Sequence, residues 1–329
     1  MRVFCILNFI RGKYIVMNNV FNQQLNQNEV VETTNLFAID YLKVKVQITN
    51  NPERLSDAMV IPFTKLDDEF HLLQHSYSKK WVCGSYSDKI QIKAISENEL
   101  LIEGNLFKWL NGQNVTGTTD LKQLVLDTVV KLSHKFDAIT PTDTELENIK
   151  SGLFNIFRID LNKALMFENQ EKAQQYLNLI KEHATYPRRK REVENNGIYF
   201  GKGSKRTTLL YYYKGKEVTS HKKQQANITP ELKAYADRMV RCEVRLYSQQ
   251  LRDDQLQYGH CWNDELIKQL VQDNHNRLNL PEPISEIELP SKFIRYLATH
   301  KQGASHTAYT VSTIARYKRD LARDYGLIV

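Results

Sequence analysis

Apolar residues recur along this chain with two periods. Residues 39–46, Ile-Asp-Tyr-Leu-Lys-Val-Lys-Val, alternate as a half-buried strand does, because successive side chains on an extended backbone point to opposite faces. A second β-rich stretch runs from Lys80 to Gly104, with Trp81, Ile90, Ile92, Leu101 and Ile102 as its apolar positions. Residues 153–161 read as a strand with Ile156, Arg158 and Asp160 on one face and Phe157, Ile159 and Leu161 on the other. The cleanest alternation is Met239 to Tyr247, where Val240, Cys242, Val244 and Leu246 face a core and Arg241, Glu243 and Arg245 face away. Helical spacing lies between these strands. Leu121, Leu124, Val125, Thr128, Val129 and Leu132 form one amphipathic stripe behind Asp120 as its cap. Ala173, Tyr176, Leu177 and Ile180 form another over residues 169–184, Thr229-Pro230 opens a third helix, and Leu266 to Asp273 marks a fourth.

Gly197 to Gly201, a turn through residues 202–205 and the run Arg206 to Lys214 read as a hairpin with aromatic and β-branched flanks. Pro281, Pro283 and Pro290 mark a linker, and residues 291–329 read as two helices around Gly303. The second helix carries Arg316, Lys318, Arg319 and Arg323, a spacing that suits a small helix-turn-helix-like module and a charged bundle equally well. The chain thus divides into an N-terminal extension (1–37), a main domain (38–250) and a C-terminal helical module (251–329). The extension is expected to be disordered or to reflect an upstream start, with Met17 a candidate initiator. The fold class expected is α+β, a mostly antiparallel sheet with helices on one face and its chemistry on the other, plus the small helical module.

Composition sharpens this picture at one place. The 329 residues carry a formal charge of +7, and 11 Lys/Arg against 3 Asp/Glu between Tyr186 and Lys223 give that stretch +8, while the remainder holds −1. A concentrated basic stripe interleaved with tyrosines suits a polyanion, since phosphate neutralisation supplies most sequence-independent affinity for nucleic acid; a solvated surface hairpin is the plain alternative. Within and beside it, Arg188, Arg189, Lys190, Arg191, Lys202, Lys205, Arg206, Arg241 and Arg245 are the candidate DNA contacts. No segment reaches the roughly 18 apolar residues a membrane helix needs. A secretory signal is poorly supported, because the apolar run from Val3 to Ile10 is short and no small-residue cleavage site follows it. Cys5, Cys83, Cys242 and Cys261 lack metal-knuckle spacing and read as reduced thiols.

Tyr211, Tyr212 and Tyr213 stand in a row beside Lys214. On a strand, Thr208, Leu210, Tyr212 and Lys214 share a face, so Tyr212 is the tyrosine presented with an ammonium beside it. A tyrosine that attacks a phosphodiester must approach phenolate, and a nearby cation favours that form. Taken alone, the run is better explained by alternate packing of tyrosines in an edge hairpin, since aromatic residues are ordinary strand formers. Asp160 and Glu243 sit on strand faces away from the apolar set, a hard-oxygen pair suited to Mg²⁺ or Mn²⁺, with Asp40 a third candidate. Salt bridges of Asp160 with Arg158, and of Glu243 with Arg241 or Arg245, would explain each strand singly. The nine histidines include no His-hydrophobic-His pair, and His71 and His75, four residues apart, are left unassigned. Ser/His/Asp, phosphate-loop and dinucleotide-binding signatures are absent too.

In order, Ile39-Asp40-Tyr41-Leu42, the loop Gly112-Gln-Asn-Val-Thr-Gly-Thr-Thr-Asp-Leu121, Arg158-Ile159-Asp160, Thr208 to Lys214 with Glu217, and Val240 to Arg245 resemble the gene II/X replication proteins of filamentous phages. The resemblance spans about residues 38–250, and the upstream 37 residues have no counterpart in it. It implies a site-specific, metal-dependent endonuclease of the host-cell cytoplasm that starts rolling-circle DNA replication. Tyr212 would attack an origin phosphodiester, leaving a 5′-phosphotyrosyl link and a free 3′-hydroxyl, and would later rejoin the strand. Lys214 would assist, Asp160, Glu243 and Asp40 would hold Mg²⁺ or Mn²⁺, and origin DNA, a host helicase and single-strand-binding protein would be the partners. A non-catalytic DNA-binding regulator that occupies the origin is the competing expectation.

Overall fold

The computed structural model describes residues 7–10, 13–16, 36–60, 63–66, 69–72, 76–84, 88–195, 197–220, 227–280, 289–301 and 303–325. Nine strands build the central sheet: β1 Phe37–Gln47, β2 Lys80–Cys83, β3 Lys89–Ser96, β4 Glu99–Gly104, β5 Asn155–Met166, β6 Arg191–Glu194, β7 Gly197–Phe200, β8 Thr207–Tyr213 and β9 Met239–Tyr247. Their order across the sheet is β6-β7-β8-β9-β5-β1-β4-β3-β2, and every neighbouring pair is antiparallel. The helices that bear on it are α1 Leu106–Asn111, α2 Leu121–Lys135, α3 Asp143–Lys150, α4 Gln170–His183, α5 Lys214–Ser220, α6 Pro230–Asp237, α7 Ser248–Asp253 and α8 Asp264–Asn276. The α+β class expected from the patterning is the class observed.

Local chemistry accounts for several helix starts. Asp120, Thr142, Thr229 and Asn263 accept hydrogen bonds from backbone N–H groups in the first turns of α2, α3, α6 and α8, satisfying donors that have no partner within the helix. The stripe predicted for α2 is buried from Leu121 to Leu132, and so are Ala173, Tyr176 and Ile180 of α4.

Two β-bulges alter the expected alternation. Ile156 pairs with Val44 and Arg158 with Lys43, so Phe157 is an extra residue in β5. Ile156 therefore joins Ile159 and Leu161 in the core instead of sharing a face with Arg158 and Asp160, and Phe157 is 36% exposed. Likewise Asp160 pairs with Tyr41 and Leu161 with Ile39, which leaves Asp40 as an extra residue in β1. In the 80–104 stretch Trp81 is 60% exposed, and Leu100 rather than Leu101 is buried beside Ile102. His71 lies on the short strand Glu69–Leu72, not on a helix, and His75 falls outside the described residues.

Residues Thr33–Lys181 and Tyr186–Leu278 form one compact unit. It runs past residue 250, because α7 and α8 pack on β5 and β9. A second unit contains the antiparallel pair Leu7–Ile10 and Lys13–Val16 and three C-terminal helices, α9 Ser291–Lys301, α10 Ser305–Ala308 and α11 Val311–Tyr325. Phe293, Tyr296, Tyr309 and Tyr317 meet edge-to-face in its core, with ring centroids 5.4–5.8 Å apart. Among the described residues no helix is long and apolar enough to cross a membrane.

Candidate active site

Strand register brings the candidate residues together. In β8 and β9, Tyr212 stands directly opposite Arg241, Leu210 opposite Glu243 and Thr208 opposite Arg245. In β5 and β9, Asn162 stands opposite Glu243 and Asp160 opposite Arg245. These positions share one face of the sheet, and the β1 bulge places Asp40 beside them. Bulges re-aim side chains in this way, and a strictly alternating β1 would have had no residue to spare there.

This face is polar yet buried. Asp160, Asn162, Arg241 and Glu243 are each no more than 3% exposed. The cover comes from the loop between α1 and α2 together with α5 and α6, where Val115, Ala164, Val218, Ala236 and Met239 make a small apolar cluster. The loop is fastened at both levels. Gln113 accepts from the Val115 and Thr116 N–H groups, and the Thr118 carbonyl accepts from Ile39 N–H at 2.9 Å. Gly117 lies so close to β1 that a Cβ there would stand 2.3 Å from the Ala38 methyl, which explains the glycine in this loop. From the loop, Asn114 donates to Asp40 Oδ1 at 3.2 Å and accepts from Lys214 Nζ at 2.9 Å, while the Val115 carbonyl accepts from Arg241 Nη2 at 2.9 Å.

The carboxylates are crowded and partnered. Arg158 grips both oxygens of Asp160, at 2.8 and 2.6 Å, and its guanidinium stacks on Tyr41 at 4.2 Å. Arg245 Nε is 2.7 Å from Glu243 and 3.6 Å from Asp160, and Asn105 and Asn114 both donate to Asp40. Burial and the charges of Asp40 and Asp160 push the Glu243 carboxyl up to about 7, with Arg245 opposing them. Burial also raises Asp160, against the pull of Arg158. The expected Asp160–Arg158 and Glu243–Arg245 salt bridges are thus present, and they hold the two carboxylates on one site.

The three tyrosines separate cleanly. Tyr211 is fully buried on the opposite face, its hydroxyl 2.8 Å from His275 Nδ1 of α8. The Tyr213 hydroxyl donates to the Asp237 carboxylate and carbonyl at 3.1 Å. Only Tyr212 stands among the charged groups. Burial raises its pKa, as do Asp40, Glu243 and Glu217, whereas Arg241 lowers it. Lys214 is not a strand residue as expected but the first residue of α5; it still reaches the same face, with Nζ 6.0 Å from the Tyr212 ring centroid and an ion pair to Glu217. Burial, and the neighbouring Arg241, push its ammonium down to about 8. A cleft of about 660 Å³ opens here, lined among others by Tyr199, Leu210, Tyr212, Lys216, Glu243 and Arg245.

Of the nine candidate DNA contacts, Arg245 lines the cleft bonded to Glu243, and the other eight divide between surface and interior. Arg188, Lys190, Arg191, Lys202, Lys205 and Arg206 are exposed around β6, β7 and their turns, though Lys202 pairs with Glu194 and Arg206 with Asp253. Arg189 turns inward to the Thr207 carbonyl and lies over the Tyr186 ring. Arg241, 2% exposed, is an interior residue of the site and not a surface contact, because β9 is covered on both faces. Sequence patterning missed Asn105, Asn114, Tyr41 and the pairing of Tyr212 with Arg241. Asn114 lay in a loop singled out for its glycines and threonines, but its partners are 74 and 100 residues away.

The donor chemistry of Asp40, Asp160 and Glu243 fits a hard divalent cation, since the charges of Asp40 and Asp160 raise the proton affinity of Glu243 and a cation would relieve that. Among the described residues no three such side chains form a ready coordination cage, their oxygens being engaged by arginines and amides.

Fold and site define an α+β protein that gathers a tyrosine, arginines and carboxylates on one covered face of an antiparallel sheet. The chain belongs to the phage CRI family of replication-associated proteins, whose N-terminal region matches residues 38–265. It is 22% identical over 269 residues to the replication-associated protein of Enterobacteria phage I2-2, covering 75% of this chain and 76% of that protein. It also aligns with the solved structure of a rolling circle replication initiator protein from Geobacillus stearothermophilus, at 14% identity and a TM-score of 0.31 over 74% of this chain and 86% of that one.

Proposed function

We propose that this protein initiates rolling-circle DNA replication by nicking origin DNA with Tyr212 and later rejoining the strand. The observation that carries this reading is that Tyr212, which lines an open cleft together with Tyr213, is alone of the three consecutive tyrosines in standing among Asp40, Glu243 and Arg241. Membership of a replication-associated family supports it. The Tyr212 oxygen forms a bond to phosphorus, the bond from phosphorus to the 3′ oxygen breaks, and the freed oxygen takes up a proton. The phosphotyrosyl ester conserves the energy of the broken linkage, so reversal closes the strand without a nucleotide.

Lys214, with its pKa near 8, is suited to accept the phenolic proton once it is neutral. Arg158 and Arg245 are suited to exchange carboxylate for phosphate, both being anions that a guanidinium grips with two N–H groups. The exposed cations of β6 and β7 supply the sequence-independent grip on the backbone. Asp40, Asp160 and Glu243 would hold Mg²⁺ or Mn²⁺, which when bound would polarise the scissile phosphate. A host helicase and single-strand-binding protein are the further partners this role calls for, in the cytoplasm of the host.

The experiment is an adduct assay: purified protein, Mg²⁺ or Mn²⁺ and labelled single strands tiling the DNA molecule that encodes the protein, followed by peptide mapping. A covalent adduct mapping to Tyr212 and lost in Tyr212→Phe is expected. One specific observation favours the non-catalytic regulator, namely that each carboxylate is already partnered as in a static polar core. Salt-sensitive binding with no adduct from any of the three tyrosines would establish that reading instead.

A further inference from the structure

Arg241 is among the largest fully buried side chains of the protein, and the mechanism above leaves it without a task. It stands directly across from Tyr212 in the β8–β9 ladder, on the same face, where opposed Cβ atoms lie ~4.5–5.5 Å apart. The Val115 carbonyl holds Nη2, and Nη1 is 3.7 Å from Asp40 Oδ1, outside hydrogen-bonding distance. No acceptor completes a well-formed hydrogen bond to Nε or Nη1, although solvent does not reach them, and the side chain the guanidinium meets across the ladder is that of Tyr212. Leaving charged N–H groups buried and unspent is costly, so a fold that keeps them in place holds them for a charge that arises in use. The group opposite them is a phenol.

We propose that Arg241 is a catalytic residue that donates its unspent N–H groups to the Tyr212 phenolate, the nucleophile when the strand is cut and the leaving group when it is rejoined. The inference rests on the nicking-closing reading above. In cutting, Tyr212 gives up its proton, the bond from its oxygen to phosphorus forms and the bond to the 3′ oxygen breaks; in rejoining, each change reverses. The phenolate is thus the first species of one step and the last of the other, and a fixed cation beside it favours both. Lysine would serve this task poorly here, as Lys214 shows by losing its proton near pH 8 in the same surroundings, whereas a guanidinium stays charged. Asp40, Glu243 and Glu217 face Tyr212 and oppose ionisation; Arg241 counters them.

The test uses the full chain with Arg241→Gln and Arg241→Lys, tiling oligonucleotides as probe, and Tyr212 replaced by the more acidic 3,5-difluorotyrosine in each background. Single-turnover nicking is expected to fall about 100-fold in Arg241→Gln and less in Arg241→Lys. Difluorotyrosine should recover most of either loss while changing the wild-type rate little. Oligonucleotide affinity, measured in a Tyr212→Phe background, should stay within about 2-fold, because Arg241 does not reach the backbone. Should the glutamine variant fail to fold, the lysine variant carries the same comparison. Loss of affinity with an unchanged rate at saturating DNA would make Arg241 a backbone contact, and a rate defect untouched by difluorotyrosine would make it structural; either overturns the proposal. If Tyr212→Phe still nicks, the parent reading has failed; if Tyr212 forms the adduct and Arg241→Gln nicks at the wild-type rate, only this inference has.

Discussion

The two faces of the sheet at β8 and β9 carry nearly the same residue types to opposite ends. On the α8 face, Tyr211 meets His275 while Cys242 lies beneath α8; burial pushes the thiol up to about 12 and the imidazole down to about 4, so both are neutral at ordinary pH, and Lys163 of β5 stands beside them with its amine on Gln272 of α8. One residue along, Tyr212 meets Arg241, and Glu243 meets Arg245, Asp160 and Asp40. The first face is a polar seam in which the phenol, thiol and imidazole are neutral and the Lys163 amine meets an amide rather than a carboxylate. The second keeps opposed charges in place beside a cleft, at a cost in desolvation that packing alone does not require. Burial by itself therefore does not mark a site; buried charge with unspent hydrogen-bonding capacity does.

The largest effect should come from exchanging the tyrosines. Tyr212→Phe is expected to abolish the covalent adduct, whereas Tyr211→Phe should nick normally and lose only about 1 kcal/mol of stability with its His275 hydrogen bond, seen by adduct assay and denaturant melts. If Tyr211→Phe abolishes the adduct, the contrast between the faces is reversed.

Next is the loop that fastens the charged face. Gly117→Val should displace it from Ala38 and release Asn114 and Val115, costing about 2 kcal/mol and most of the activity, with the melt and the nicking rate as measures.

Proton inventory separates the faces further. Nicking at saturating DNA should rise as pH passes about 8 and Lys214 becomes neutral, and Lys214→Met should flatten that rise; a wild-type profile with no inflection near 8 removes Lys214 as proton acceptor. Glu243 has a folded pKa near 7, above its ordinary 4.5, so its ionisation costs stability: the cost is absent below about 4.5 and complete above about 7. In EDTA, Glu243→Gln should therefore stabilise the protein at pH 8, by about 1–3 kcal/mol, and have little effect at pH 4.

The smallest effect concerns the cation. Mg²⁺ or Mn²⁺ should raise the melting temperature of the wild type by a few degrees at millimolar concentration and leave Glu243→Gln unmoved. Equal shifts in both proteins would place the ion elsewhere.

Much of the fold was legible because it is local. Asp120 and Thr229 mark helix starts through hydrogen bonds that span three residues, and the stripe from Leu121 to Leu132 follows from helix geometry. The alternation from Val240 to Leu246 likewise assigned Arg241, Glu243 and Arg245 to one side, as observed. Periodicity failed at Phe157 and Asp40, where a bulge shifts the phase, because an inserted residue leaves no mark in a pattern that counts only apolar positions. It also missed that the polar face is covered, so that Arg241 was placed at the surface.

The sequence by itself determined which residue types stand at which alternate positions, and so which of the three tyrosines shares a side with Lys214. Only the tertiary structure decided that Tyr212 faces Arg241, that a bulge turns Asp40 toward Asp160 and Glu243, and that Asn114 joins Asp40 to Lys214 across 74 and 100 residues. Register between distant strands is fixed by the fit of whole faces and by loop closure. Those are sums over many remote contacts, and no short window of sequence contains them.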